Sequence, residues 1–469
     1  MKDLAEFCVE FAKKNGAEYS EARFEKISSE TFTVKNGTVE SPLLVENEGI
    51  GMRIIADGVL SFLSFTKADK NLMKEEIKKM IRISKSSSKI SERSKLSKER
   101  VVKKRWKIRE KIKIKDVDID EKISLLLDLE KNIRRKELPS RFFQLTATTT
   151  EKFFINSEGT RIHSSVPNLM LFYNLVSKIG NQTENRYFSL GSSGGWEIIK
   201  RWNLEKKIKD ESKMLVKLLK GKTIKTAKMD VILAPELVGI AMHESCGHPA
   251  EADRILGREG AQAGESYLKP NFLGMQIGTK VVTVVDDPRI KGSYGYYEYD
   301  DEGVKARRRF LIKNGLINEF LHNRETANKF GIKSNAAARA SSFDREPIVR
   351  MSTTFMLPGD FSLDELIEDV KHGVYIKSFT EWNIDDKRWN QKYVGCEAYE
   401  IVNGKIKGLV RRPVLELTTK GFFSSVDACG KDLDFVAGTC GKGDPMQGVP
   451  VWMGGPHIRL RNVVVKHAT

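Results

Sequence analysis

Three residues within six positions carry the clearest chemistry in this chain: His243, Glu244 and His248, in the stretch APELVGIAMHESCGHPAEADRI from Ala234 to Ile255. Two imidazoles can hold a divalent ion. A carboxylate directly after the first can take a proton from a water that the ion activates, the chemistry of the shorter H-E-x-x-H zinc motif. Here the spacing is H-E-x-x-x-H. At about 100° per residue, positions four apart on an α-helix lie roughly 40° apart around the axis, but positions five apart lie roughly 140° apart, too far for one ion. The backbone must therefore bend between the histidines. Gly247 precedes the second and Pro249 follows it; both residue types disturb helices, so the sequence predicts a π-type bulge or an unwound last turn that swings His248 back. The alternative is two histidines satisfied by backbone carbonyls beside a solvated Glu244.

The elements that position this segment can be read around it. Val231, Ile232 and Leu233 form a short apolar run typical of a buried strand, Pro235 suits a first helical position, and Leu237, Val238, Ile240 and Ala241 give a core-facing stripe. The motif is thus expected at the C-terminal end of a buried helix that follows a strand. A catalytic zinc usually has three protein ligands and an open fourth position, so one ligand is missing. Candidates are Cys246, Glu251, Asp253, Cys396, Cys429 and Cys440. Cys246 falls three residues after His243 and shares its helix face; Glu251 and Asp253 lie beyond Pro249; Cys440 sits in GTCGKG, where glycines permit close backbone approach. A buried cysteine is also a small hydrophobe, and the residues alone leave the choice open.

At 469 residues the chain is too long for one core and is expected to divide into two or three domains. With 40% hydrophobic and 9% aromatic residues it is globular. No apolar run reaches the length of a membrane span and the N-terminus does not read as a secretory signal, so a cytoplasmic protein is expected. Five cysteines without a C-x-x-C pair argue for free thiols rather than a disulfide framework. The net charge of +17 is mostly diffuse lysine, densest from Lys74 to Lys136, and reads as a solvated surface, which argues against a nucleic-acid role.

An α+β fold follows from the pattern: several domains, largely antiparallel sheets with packed helices, and the metal-bearing helix in the C-terminal domain. Residues 1–98 read as an N-terminal α+β domain, with a helix ending at Gly16, hairpins at Asn36-Gly37 and Asp57-Gly58, and a helix from Asp69 to about Ile83 before a Ser/Lys-rich boundary. Residues 99–222 read as a central β-rich domain containing a helix capped near Asp120. Its Gly191-Ser192-Ser193-Gly194-Gly195 tract reads as a hairpin tip, since a phosphate loop would also need a Lys-Ser/Thr pair. Residues 223–469 form the third unit. A strand is expected over Lys280–Val285, acidic turns at Asp286-Asp287 and Asp300-Asp301-Glu302-Gly303, a mobile loop around Gly257, Gly260 and Gly264, and hairpins at Asn314-Gly315 and Asn403-Gly404.

Several separate stretches in order, HESCGHPAEADR, the DDEG at Asp300–Gly303, MSTTFMLPGD from Met351 to Asp360 and TCGKGDPMQGVPVWMGGPHIRLRNVVV, resemble the TldD branch of the TldD/PmbA (TldE) family. The likeness spans nearly the whole chain. It implies an intracellular zinc peptidase that acts on unfolded peptides inside a dimer cavity, paired with itself or with a related subunit lacking the metal motif. Carried onto this chain, the zinc ligands are His243, His248 and Cys440, and Glu244 is the catalytic general base. The chain departs from the family in its lysine-rich middle and in PMQGVPVWMGG, where relatives have a shorter QSVPVG-like run. Two other readings stand beside the peptidase: a regulatory binding protein of the DNA gyrase modulator type, using the basic surface, and a zinc scaffold without turnover.

Overall fold

A computed structural model describes residues 2–260 and 264–468. The chain is an α+β protein whose sheets are antiparallel and mixed, with helices packed on them. Helix α1 (Lys2–Lys14) buries Ala5, Cys8, Val9 and Ala12 and ends before Gly16. Strands β1 (Tyr19–Lys35), β2 (Leu43–Ala56) and β3 (Val59–Phe65) follow, then α2 (Lys70–Ser87), whose first turn is capped by the Asp69 side chain. After β4 (Lys103–Lys107) and α3 (Ile119–Ile133) come β5 (Ser140–Asn156), β6 (Arg161–Ile179) and β7 (Gln182–Ser193).

These strands make one sheet in the order β3-β2-β1-β5-β6, with β4 and β7 both on β6. Residues on both sides of position 98 therefore share one sheet and contribute to both of its cores. α1 and α2 cover Phe24, Ile50, Met52 and Phe153, whereas α3 and α4 (Leu204–Leu218) cover Phe143, Leu171 and Tyr173. The Ser/Lys-rich segment after α2 is fastened rather than free: Ser94 N donates to Gly58 O, and Arg324 donates to Ser97 O from Nε and Nη2.

All four expected Asn-Gly and Asp-Gly hairpins form. Asn36-Gly37, Asp57-Gly58, Asn314-Gly315 and Asn403-Gly404 each have positive φ at both residues, the turn whose twist matches that of its strands. The Gly191–Gly195 tract is not a hairpin tip. It ends β7 and turns into Trp196, and the backbone N–H groups of Ile112 and Gly195 close on the Glu197 carboxylate. Burial alone would raise that carboxyl, but the N–H groups hold it below its ordinary value, so the cradle is filled from within the chain. The strand expected over Lys280–Val285 is confined to Val284–Asp286, because Val282 N turns back to Thr279 O.

Strand β8 (Ala227–Leu233) lies inside a ten-stranded sheet, parallel to β9 (His372–Ile376). The same sheet ends in the hairpin β10 (Phe379–Ile384) and β11 (Asn390–Gly395). A six-stranded sheet ends at β12 (Asp434–Lys442), which among the described residues pairs with β13 (Gln447–Gly455) on one side only. Strand β14 (Ile458–His467) pairs with β8 on its other flank. Helix α5 (Pro235–Met242) follows β8 directly and packs on β13, where a Cβ on Gly239 would stand 2.9 Å from the Met453 and Gly454 backbone. Among the described residues no helix is long and apolar enough to cross a membrane.

Candidate functional site

Helix α5 stops at Met242 and continues as a single π turn over His243–Gly247. His248 N donates to His243 O at 3.0 Å, an i→i+5 bond that brings residues five apart back onto one side. The two imidazoles face each other with ring centres 4.9 Å apart and planes crossing at 80°. Gly247 lets the turn pack closely: a Cβ there would stand 1.9 Å from Met351 Sδ, and that buried side chain would have to move to admit it. Of the two distortions expected from the spacing, the π bulge is the one that forms.

Cys440 arrives from β12 and places Sγ 3.4 Å from His248 Nε2. One ligand atom each from His243, His248 and Cys440 lies within 4.8 Å of the others, and all three residues are buried. The other candidates go elsewhere. Cys246 sits in the apolar core, Cys396 faces Asn185 O, and Cys429 lies against Met356 Sδ. Asp253 accepts from Lys442 Nζ at 2.6 Å. Glu251 stands behind His248, with Oε2 3.0 Å from His248 Nδ1, 2.8 Å from Arg254 Nε and 3.3 Å from Lys442 Nζ.

The electrostatics follow from these contacts. Burial would raise the Glu251 carboxyl, but Lys442, His248 and Arg254 together hold it well below the usual carboxylate range. An ionised carboxylate only accepts, so His248 Nδ1 carries a proton, and Nε2 is the nitrogen turned towards Cys440. Burial likewise pushes the Cys440 thiol up, yet His248 and Arg350 outweigh it and bring the thiol down to about 7. Cys8, Cys396 and Cys429 are pushed up to about 12 by burial. Burial also depresses His243, and its buried Nδ1 has no hydrogen-bond partner among the described residues. Two imidazoles and a readily ionised thiol that converge, one ring nitrogen orphaned and the other ring backed by a carboxylate, fit a borderline-soft divalent ion such as zinc with one position left open.

These groups line a cavity of about 390 Å³. Its walls are Tyr187 and Phe188 from β7, Phe379 and Trp382 from β10, and Val436 to Gly441 on the unpaired edge of β12. Glu244 also faces it and is hydrogen-bonded by Arg388 Nη1. A smaller cavity of about 120 Å³, between Trp106, Lys152, Tyr294 and Arg339, contains none of the three candidate ligands.

The acidic motifs do other work. Asp300 caps its own turn by accepting from Glu302 N and Val304 N; Asp301 takes Lys152 Nζ at 2.9 Å and Glu302 takes Arg53 Nη2 at 2.6 Å. The DDEG segment thus ties the first sheet to the C-terminal part. The glycine loop expected beside the site includes residues 261–263, which lie outside the described residues. Sequence reasoning missed Arg388, a lone arginine in a polar turn, and Lys442, visible only as part of a glycine-flanked segment.

Comparisons with known proteins bear on the family of the chain. Residues 226–467 match a family model described as the PmbA/TldA metallopeptidase C-terminal domain, 112–219 match its central domain and 20–88 its domain 1. The chain is similar to a metalloprotease of Methanocaldococcus jannaschii, 32% identical over 94% of this chain and 96% of the relative. It is also similar to a zinc metalloprotease TldD homolog of Saccharolobus solfataricus, 31% identical over 67% of this chain and 68% of that one. Two solved structures share the fold at low identity. A Thermotoga maritima protein described as a candidate modulator of a DNA gyrase has a TM-score of 0.77 at 18% identity over 99% of both chains. TldE from Thermococcus kodakarensis has a TM-score of 0.72 at 16% identity, covering 98% of this chain and 99% of its own. Three family models in order along the chain, together with a relative alike over almost its full length, show that the chain belongs to the PmbA/TldD metallopeptidase family.

Proposed function

We propose that this chain is a zinc-dependent peptidase acting on unfolded peptides, with His243, His248 and Cys440 as the zinc ligands and Glu244 as general base. The observation that supports it most is the convergence of those three ligand atoms, with Glu244 beside them, in a cavity bordered by an unpaired strand edge. Bound zinc would acidify a water molecule and polarise the scissile carbonyl. Glu244 takes the water proton as the new C–O bond forms and returns it to the amide nitrogen as the C–N bond breaks. Glu251, Lys442 and Arg254 hold His248 at the ring angle the site needs.

A peptide laid along the open edge of β12 would be bound through its backbone, while Tyr187, Phe188, Phe379 and Trp382 offer apolar contact without a fixed side-chain register. Low sequence specificity and a demand for extended, unfolded substrate follow. We propose further that the chain works as a dimer, with itself or with a related subunit lacking the metal motif; a purely monomeric mass in solution, with and without such a subunit, would refute that part. The decisive experiment is metal analysis with peptide hydrolysis on the wild type and Glu244→Gln. Retained zinc with turnover lowered by about 10²-fold or more supports the assignment, and unchanged turnover removes Glu244 from it.

A further inference from the structure

We propose that Arg388 is a second catalytic residue, one that binds the scissile carbonyl oxygen as it becomes an oxyanion; this rests on the peptidase reading above. Among the described residues that line the cavity, Arg388 is the sole lysine or arginine. It touches Glu244 through Nη1, so its guanidinium lies within one side chain of the atoms that exchange protons. Arginine has five N–H donors. Nε is buried away from the cavity, but Nη2 makes no hydrogen bond among the described residues, so the fork keeps a terminal nitrogen free to donate to a bound substrate.

The backbone points to the same use. Arg388 has φ of +63°, a left-handed conformation that costs an arginine and costs glycine almost nothing. It is pinned there from both ends, with Arg388 N donating to Asp385 O at 2.9 Å and Thr419 Oγ1 donating to Arg388 O at 2.8 Å. The turn between β10 and β11 thus accepts strain that aims a guanidinium into the cavity. A cation in this position already pairs with the Glu244 carboxylate; its remaining donors would meet a second negative charge that exists only during the reaction, since the ground-state carbonyl is neutral.

The charge flow is closed. As water oxygen bonds to the carbonyl carbon, the C=O π pair moves onto oxygen, where Arg388 donates hydrogen bonds without losing a proton. The water proton goes to Glu244 and then to the leaving nitrogen. A rival role, anchoring a substrate C-terminal carboxylate, would end the peptide at the residue beside the base, and it gives a different kinetic signature.

The test uses the full zinc-loaded chain and an end-blocked fluorogenic peptide that the wild type cleaves. Arg388→Gly relieves the backbone while deleting the side chain, and Arg388→Gln serves as a second variant in case glycine loosens the turn. Both are expected to keep their zinc and to lose about 10²-fold in kcat with KM changed by less than about threefold, and guanidinium ion should restore part of the activity of Arg388→Gly. A second readout needs no turnover. In a Glu244→Gln background, a phosphonamidate mimic of the tetrahedral adduct should still bind about 10-fold or more weaker by calorimetry when Arg388 is replaced. If that loss vanishes without Glu244, Arg388 acts only through the base and the proposal falls. It falls equally if kcat stays within about threefold of wild type with zinc retained, or if the only effect is on KM for peptides with a free C-terminus. A zinc-loaded wild type that cleaves no unfolded peptide would overturn the peptidase reading along with it.

Discussion

Replacing Glu251 by glutamine keeps the shape of a fully buried side chain and removes its charge. Three groups lose by it: His248 Nδ1 at 3.0 Å, Arg254 Nε at 2.8 Å and Lys442 Nζ at 3.3 Å. Removing one partner of a buried ion pair costs about 3–5 kcal/mol. Asp253 still holds Lys442 at 2.6 Å, so the loss should fall near the lower end, about 3 kcal/mol for the metal-free protein. Zinc affinity should drop by about 10- to 100-fold, because the glutamine amide no longer fixes the charge and tautomer behind His248. The pH dependence has a definite sign. The folded Glu251 carboxyl lies well below 4.5, burial opposing the shift and Lys442 and His248 driving it, so its contribution is complete at neutral pH and fades only as pH falls through the folded value. The gap in urea midpoint between the two metal-free proteins should therefore be constant from neutral pH down to about 5 and close in strong acid. A competition titration measures the zinc affinity. A Glu251→Gln protein that binds zinc within about threefold of wild type would show that Glu251 does not orient His248.

Two further outcomes follow from the same geometry. Gly247→Ala drives a methyl group to 1.9 Å from Met351 Sδ inside the π turn, so it should abolish stoichiometric zinc binding and lower the thermal midpoint by several degrees in calorimetry. In metal-free protein, iodoacetamide should modify Cys440 with an apparent midpoint near pH 7, above which the thiolate dominates, while Cys8, Cys396 and Cys429 stay inert at that pH; mass spectrometry across a pH series checks this.

The site was half legible in the sequence, and the division has a physical basis. Local geometry is written locally: a five-residue spacing that an α-helix cannot serve, with Gly247 and Pro249 beside it, requires a bulge, and a π turn forms. The four hairpins were equally readable, because positive φ at two adjacent residues selects Asn-Gly and Asp-Gly. What depends on distant strands was not. Cys440 is 192 residues from His248 and reaches it through sheet pairing, so only the family resemblance distinguished it from the other cysteines. Glu251 was considered as a ligand, but whether a carboxylate meets the ion or the imidazole behind it depends on the turn after Pro249. Arg388 left no signal, since neither its φ nor its contact with Glu244 is encoded in nearby residue types. The Gly191–Gly195 tract misled because loop-like glycines also serve where two sheets touch: a Cβ on Gly191 would stand 2.7 Å from that of Ala437.

The π turn and the open strand edge have one joint consequence. The turn is reached from a buried helix and the edge from a different sheet, so two of the proposed ligands and the third are carried by separate elements whose packing sets the distance between them. X-ray absorption at the zinc edge of the loaded protein tests that arrangement most directly. Two nitrogen scatterers at about 2.0–2.1 Å and one sulfur at about 2.3 Å are expected, with the sulfur shell lost in Cys440→Ser. A spectrum without sulfur, or one that Cys440→Ser leaves unchanged, would contradict it.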